Sequence, residues 1–405
     1  MAANDMVTMS GLFKKVYAKK LMNLIPDGTK LLKLIPFATA GERTGEDYNQ
    51  AVVLGLEHGV TFASTLEDAF ALNDAIPGQI KQASVKGNAL VLRTAMGYKT
   101  ASASMGSERA FEQATKFLVG NMIRSVTKKL EIQMLYGQVG YAVVDSVAGA
   151  VVTIKASEWA SGIWAGAEKM PIEIRSPNGA TSRGEGVVKE VSFENKTVTL
   201  VASIPGVLQN DVIWHKGAYD KEFAGLHKII SNTGTIFGIN AADYSLFKGN
   251  TYNASGPLTF AVAQKAVTKA VEKGLDQEDV LLMVAPDSWA DLMEDQAALR
   301  QLDQSYSTGK SENGSKEIAF YSQNGKIEVV PSIYVKSGYA YVLCVEDMVR
   351  IGSTDVTFVT PGRNEEIFLQ LPGHAGYELR LFSDQALFVS SIAKNVLITG
   401  ITPTN

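Results

Sequence analysis

Residue types suited to metal or nucleophilic chemistry are scarce in this 405-residue chain: four histidines, His58, His215, His227 and His374, and one cysteine, Cys344. No two histidines stand at i, i+3 or i+4 and none is near Cys344, so zinc-ligand spacing is missing. Gly309-Lys-Ser-Glu-Asn-Gly-Ser-Lys has a Gly-Lys-Ser step but lacks the first glycine that a phosphate loop needs ahead of it, and reads as a surface loop. No Gly-x-Ser-x-Gly elbow or Gly-x-Gly-x-x-Gly fingerprint occurs. Glu67-Asp68 and Glu365-Glu366 could pair as acid and base, yet isolated acidic doublets are common on solvated surfaces. These patterns point away from an enzyme, and no metal or cofactor is expected.

Composition narrows the class further. With 46% hydrophobic and 20% charged residues the chain can bury a substantial core, and its length suggests two or three structural units. A net charge of -4 gives no general attraction to nucleic acid or to an anionic membrane. A lone cysteine forms no intrachain disulfide, which fits a reducing cytosol. Ser10 to Ile25 sets Leu12, Phe13, Val16, Tyr17, Leu21 and Met22 among four lysines, the pattern of an amphipathic packing arm rather than a signal peptide. No run of about 18 uncharged apolar residues suggests a membrane span.

The elements that position the remaining residues are extended first and helical later. Gln50 to Ala63 and Ser84 to Ser104 read as two extended runs around the turn-rich segment Ser64 to Ala83, a long two-stranded excursion with an elaborated tip. Arms of about 14 residues would reach about 45 Å, and a ribbon that long is marginal in water without a partner surface. Ser107 reads as the N-cap of a helix that runs without proline to Tyr136 and stops at Gly137. Phe111, Ala114, Leu118, Met122, Val126, Leu130 and Met134 form its apolar stripe, with Glu112, Lys116, Lys128 and Glu131 on the opposite side. From Val151 to about Ile230, short strands between turns predict a small β barrel or sandwich, with Trp159, Trp164 and Trp214 as core and rim. Thr259 to Lys273 and Asp287 to Leu299 read as helices, Lys326 to Val335 and Gly338 to Val345 as strands, and Asp355 to Thr399 as a strand-rich tail.

This order resembles the Hong Kong 97-type major capsid protein of tailed bacteriophages over nearly the whole chain. Glu222-Phe-Ala-Gly-Leu-His-Lys-Ile-Ile-Ser-Asn-Thr-Gly-Thr-Ile-Phe-Gly-Ile looks like the linker by which an inserted β module rejoins the axial domain of those proteins, and Val207-Leu-Gln-Asn-Asp-Val-Ile-Trp is similar too. The resemblance implies an α+β fold with an N-terminal arm (1–39), an extended loop (40–106), a peripheral domain with a spine helix (107–150), a β-barrel-like or sandwich-like insertion (151–228), an axial domain (229–345) and a return to the peripheral domain (346–405). It also implies a shell subunit that self-assembles as pentamers and hexamers around double-stranded DNA without reading its sequence. The implied location is a virion capsid assembled in the host bacterial cytoplasm, with no membrane partner. No long helical scaffolding segment precedes the loop, so separate scaffolding and portal proteins are expected, with a decoration protein as a further candidate.

Copies of one subunit in a closed shell must meet through complementary patches. The expected charged contacts are Glu67 and Asp68 near the ribbon tip, Lys81, Lys86 and Arg93 on its return, and Arg109, Lys116 and Arg124 on the spine helix, which would set register. Leu54, Leu56, Val60, Phe62, Leu66, Phe70, Leu90 and Leu92 would supply the binding energy, at about 25 cal/mol per Å² of apolar area. Deleting residues 65 to 82 is expected to leave a subunit that folds but cannot close shells. Two other classes share parts of this pattern. An encapsulin-like nanocompartment shell is disfavoured by the length and the large β insertion, and a β-rich carbohydrate-binding or surface-layer protein would carry a secretion signal.

Overall fold

Alternating and β-branched residues make the segment that leaves the body of the chain. In the computed structural model, which describes residues 28–38, 47–65, 69–99, 108–276, 278–295, 318–359, 368–371 and 373–404, β1 (Asp47–Gly55) pairs antiparallel with β2 (Gln79–Lys86). Tyr48 lies opposite Val85 and Val53 opposite Ile80. Beyond the ladder the two sides stay together through scattered bonds: the His58 N–H donates to the Ile76 carbonyl at 3.1 Å, and the Asn73 amide donates to the Val60 carbonyl at 3.0 Å. The regular ladder is therefore shorter than the arms suggested by the sequence. Nor is Ser84 to Ser104 a single run. At Gly87, where a Cβ would meet Asp384 Oδ1 at 2.5 Å, the chain leaves the ribbon. The next strand, β3 (Asn88–Gly97), pairs instead with β19 (Gly376–Val389), which β17 (Met348–Thr357) and β18 (Phe368–Gln370) flank on its other edge.

A proline-free sequence with apolar residues every three or four positions gives the long helix its straight buried stripe. α1 (Leu31–Leu34) is a single turn, whereas α2 (Glu108–Tyr136) spans about 43 Å at 1.5 Å per residue and buries Leu118, Met122, Val126, Leu130 and Met134. It lies against α1, β3, β19 and α4 (Leu226–Ser231). Its end is fixed by close backbone approach: the Gly137 N–H bonds the Gln133 carbonyl at 2.8 Å, and a Cβ on Gly137 would sit 2.1 Å from the Phe223 carbonyl.

Glu131 departs from the solvated side assigned to it by the helix pattern. It is fully buried, and its carboxylate accepts the backbone N–H groups of Lys30 (2.8 Å), Leu31 (2.9 Å) and Leu32 (2.9 Å), the free donors at the start of α1. Burial raises its pKa, and the three N–H bonds oppose that rise. Glu131→Ala should therefore leave buried donors unsatisfied and cost about 2–4 kcal/mol, read as a lower thermal midpoint, while Glu131→Gln, which keeps one acceptor oxygen, should cost less.

Short strands next close a barrel in the order β4 (Ala142–Ala148), β5 (Val151–Ile154), β8 (Thr197–Leu200), β7 (Ser182–Ser192), β6 (Pro171–Arg175) and β9 (Val212–His215). Alternation fills its interior with Val144, Val152, Ile154, Ile172, Ile174, Val188, Val198, Leu200 and Ile213. The first barrel strand begins at Ala142, ahead of the boundary at 151 suggested by the sequence, because Ala142 and Val143 pair with Ile213 and Val212 to close the ring. Trp159 and Trp164 stack with ring centroids 6.2 Å apart, in the connection that includes α3 (Ser161–Trp164). Trp214 packs edge-on to Tyr219.

Continuous apolar runs make a mixed six-stranded sheet in the order β12 (Asn250–Gly256), β20 (Val396–Ile401), β16 (Ala340–Leu343), β13 (Val280–Val284), β15 (Gly325–Pro331) and β14 (Ile318–Ser322). α5 (Phe260–Val271) covers β12 and β20, with the Thr259 hydroxyl accepting the Val262 N–H as its cap. α6 (Pro286–Glu294) buries Leu292 and half-buries Trp289 and Met293. The tail does not return as one piece. β17 to β19 form the sheet with β3, but β20 runs parallel to β12 and antiparallel to β16 inside the six-stranded sheet. Val396, Leu397 and Ile398 are buried on both faces there, which an edge position in the other sheet could not provide.

Candidate assembly interface

The described apolar side chains left in water concentrate on the ribbon: Val53, Leu56, Val60, Phe62, Phe70, Leu72, Ile76 and Ile80 are exposed, with Phe62 at 91% and Leu72 at 79%. A soluble chain seldom leaves so continuous an apolar surface uncovered unless a partner meets it. Of the described ribbon side chains, only Ala83 and Val85 are fully inside, and both are at the root. There the Ser84 N–H bonds the Phe237 carbonyl at 2.9 Å, in the turn between β10 (Thr235–Ile236) and β11 (Ile239–Asn240). The rings of Tyr48 and Phe237 both pack on Phe388, at 5.3 and 5.4 Å. The ribbon is thus held at one end and bare along the rest.

The residues expected from sequence to meet a neighbour fall into distinct settings. Leu56, Val60, Phe62, Phe70, Lys81, Lys86 and Arg124 are exposed. Leu54, Leu90 and Leu92 are half-buried against the chain's own core. Arg93 stands on β3 rather than on the ribbon's return, and its guanidinium is ion-paired with Glu378, which also holds Arg380. Leu66, Glu67 and Asp68 lie outside the described residues, as do the side chains of Arg109 and Lys116 and the segment Ser10 to Ile25. Sequence reasoning passed over Val53, Leu72, Ile76 and Ile80; Val53 and Ile80 face each other only through the register of the ladder, which the sequence does not display.

Where α2, the barrel and the six-stranded sheet meet, the interior is polar. Lys336, 2% exposed, donates from Nζ to Glu158 Oε2 at 2.8 Å and to the Gly140 carbonyl at 3.2 Å, and lies 4.3 Å from the centre of the Tyr136 ring. The Tyr339 hydroxyl donates to Glu158 Oε1 at 2.6 Å, and His227 Nδ1 is 3.0 Å from the Tyr341 hydroxyl. Burial by itself would lift the Glu158 carboxyl, but the Lys336 ammonium and the Tyr339 hydroxyl hold it below its ordinary value. These groups are spent on one another: a buried ion pair with its hydrogen bonds satisfied joins three parts of the chain.

Two histidines are expected to lower the stability of the fold in acid. Burial, reinforced by Lys336, lowers His227 to about 4, and burial, reinforced by Lys129, lowers His215 to about 4. Both are neutral in the fold while the unfolded chain binds protons near pH 6.5, so their contribution to stability is lost as pH falls from about 6.5 to about 4, by up to about 1.4 kcal/mol per pH unit for each. Glu222, raised by burial to about 7, acts oppositely: its contribution is full below about 4.5 and is lost as pH rises to about 7. In His227→Gln the thermal midpoint should fall less steeply between pH 6.5 and 4 than in the parent chain.

Cys344, Glu278 and Asp347 come together although no sequence spacing announces them, with ligand atoms within 4.8 Å of one another. The Lys394 ammonium occupies the place a cation would take, 2.5 Å from Glu278 and 3.2 Å from Asp347. The thiol lies 3.1 Å from Glu278, and burial and that carboxylate push its pKa up to about 12, the reverse of what a metal-binding thiolate needs.

No family model and no curated protein matches the chain. Solved structures do. The capsid asymmetric unit of Cyanophage A-1(L) aligns over 98% of this chain and 99% of its own, with a TM-score of 0.56 and 13% identity. The capsid of a native GTA particle aligns over 99% of this chain and 100% of its own, with a TM-score of 0.51 and 10% identity. The holo-SrpI encapsulin of Synechococcus elongatus aligns over 100% and 98%, at 0.45 and 10%. The chain therefore has the α+β fold of phage capsid proteins, the Hong Kong 97-type fold expected from the order of its elements.

Proposed function

We propose that the chain is a major capsid protein that assembles with copies of itself, as pentamers and hexamers, into an icosahedral shell around double-stranded DNA. The virion capsid is its location and the host bacterial cytoplasm its place of assembly, with separate scaffolding and portal proteins as partners. One observation carries the reading beyond the fold: a ribbon anchored at its root exposes apolar residues that no described surface of its own chain covers. A second copy is the natural cover, since a repeated subunit presents the same complementary patch at every contact. The full chain, purified and followed by light scattering and electron microscopy, should form closed particles or pentameric and hexameric capsomers. Monomers persisting at high concentration would overturn the reading. Nuclease-protected DNA inside particles produced in an infected host would separate this shell from a cellular compartment that encloses protein.

A further inference from the structure

Beside α2 lies a cavity of about 410 Å³, the size of a small-molecule site, whose charged lining is one-sided. Arg124, Lys128 and Lys129 of α2 line it together with Lys169, in the turn after α3, and His215 of β9, with one carboxylate, Glu168, among them. Leu92, Met170, Pro171 and Tyr334 give it apolar walls. Arg124 and Lys169 are exposed, whereas Lys128 and Lys129 are half-buried. Lys128 donates to the Ala165 carbonyl at 2.6 Å, and Lys129 reaches the Tyr141 hydroxyl and the Met170 sulfur, each at 3.5 Å. Among the described residues, none of these four side-chain cations is ion-paired with a carboxylate. Cations sunk elsewhere in the fold are paired: Lys336 with Glu158, Arg183 with Asp211, and Lys394 with Glu278 and Asp347.

We propose that this cavity binds a small organic phosphate, its phosphoryl oxygens among Arg124, Lys128, Lys129 and Lys169 and its apolar body against Leu92, Met170 and Tyr334. The charge calls for a dianion: four cations against the Glu168 carboxylate leave an excess that one carboxylate ligand would not balance. A guanidinium beside ammonium groups is also the donor set suited to phosphate oxygens. The apolar walls call for a body that a bare oxyanion lacks. Because the cations come both from α2 and from the barrel side, a bound phosphate would tie the helix to the barrel. Burial lowers Lys128 to about 8, against the pull of Glu168, and lowers Lys129 to about 7, helped by Lys128 and opposed by Glu222. An incoming dianion reverses part of that cost. The groups acting on the pair are Arg124 of α2, Glu168 and Lys169 after α3, His215 of β9, Tyr141 ahead of β4 and Glu222 ahead of α4. His215, lowered to about 4 by burial and by Lys129, is neutral at physiological pH. The inference goes beyond the shell reading and does not rest on it.

Calorimetry on the unassembled full chain tests this with phenyl phosphate, inorganic phosphate and sulfate. Phenyl phosphate should bind with a dissociation constant below about 1 mM and about tenfold more tightly than inorganic phosphate, since its ring covers the apolar walls. Arg124→Gln and Lys129→Met should each weaken phenyl phosphate binding by about tenfold or more. Arg124 is exposed, so its substitution should leave the thermal midpoint of the ligand-free chain unchanged and separate loss of the site from loss of the fold. Sulfate, whose own charge does not change, should bind about tenfold or more weakly at about pH 8.5 than at about pH 6.5, as Lys129 and then Lys128 lose the protons that the bound anion favours. Phenyl phosphate that does not bind the parent, or binds parent and Arg124→Gln equally, would overturn the site. So would a short DNA duplex that binds where phenyl phosphate does not, since the lysines would then be a plain cationic surface. Inorganic phosphate binding as tightly as phenyl phosphate would overturn the organic ligand in favour of the free anion.

Discussion

Lys336→Met should destabilise the unassembled subunit by about 3–5 kcal/mol, the usual cost of removing one partner of a buried ion pair. The methionine fills much of the volume but leaves Glu158 buried with the Tyr339 hydroxyl at 2.6 Å as its remaining donor, and leaves the Gly140 carbonyl without the ammonium now 3.2 Å away. The sign with pH is distinctive. In the parent, Lys336 helps hold Glu158 below its ordinary pKa. Without it, burial dominates and the folded pKa rises above the unfolded one, so the variant's deficit is largest at neutral pH and shrinks as pH falls towards the ordinary carboxylate range. Adding Glu158→Gln to Lys336→Met should recover most of the loss at pH 7. Thermal or denaturant unfolding of the dissociated protein measures both, and a Lys336→Met midpoint equal to the parent's would show that the junction does not depend on this pair.

Replacing residues 60–74 by a short Gly-Ser turn should abolish closed particles while leaving the unfolding of the isolated subunit unchanged. The wider deletion of residues 65 to 82 suggested by the sequence would remove Ile80 and Lys81, the ladder partners of Val53 and Val52, and so confuse folding with assembly. Within 60–74, the described side chains are exposed or half-buried, and Val60, Phe62, Phe70 and Leu72 stand in water. Covering each yields about 1.5–3 kcal/mol, and together they could give on the order of 6–12 kcal/mol per contact before the cost of association. Normal shells from the shortened protein, seen by electron microscopy, would show that the tip is not what closes them.

Local patterns were legible because they answer to local physics. A proline-free stripe ending at Gly137 marks a helix whether or not its partners are known, and the observed α2 ends at Tyr136. Short strands between turns pointed to a barrel or sandwich, and barrel closure chose between them through Ala142 and Val143, which had no reason to be grouped with the strands after 151. Glu131 looked like one more solvated charge because the donors it caps lie far away in the sequence, at Lys30, Leu31 and Leu32. Arg93 and the apolar Leu90 and Leu92 read as a continuation of the ribbon, since the break at Gly87 depends on the distant Asp384.

The sequence by itself determined the kinds of element, their order, the paucity of groups for catalysis and the presence of an extended apolar segment too long to be stable alone. Tertiary structure decided which strands share a sheet, sending Val396 to Ile401 between β12 and β16, and which charges meet, bringing Lys336 to Glu158 and Glu378 to Arg93. The division has a physical cause. Periodicity and propensity act over a turn or two of chain, whereas burial and ion pairing are properties of space, and residues far apart in sequence acquire them only when the chain closes on itself.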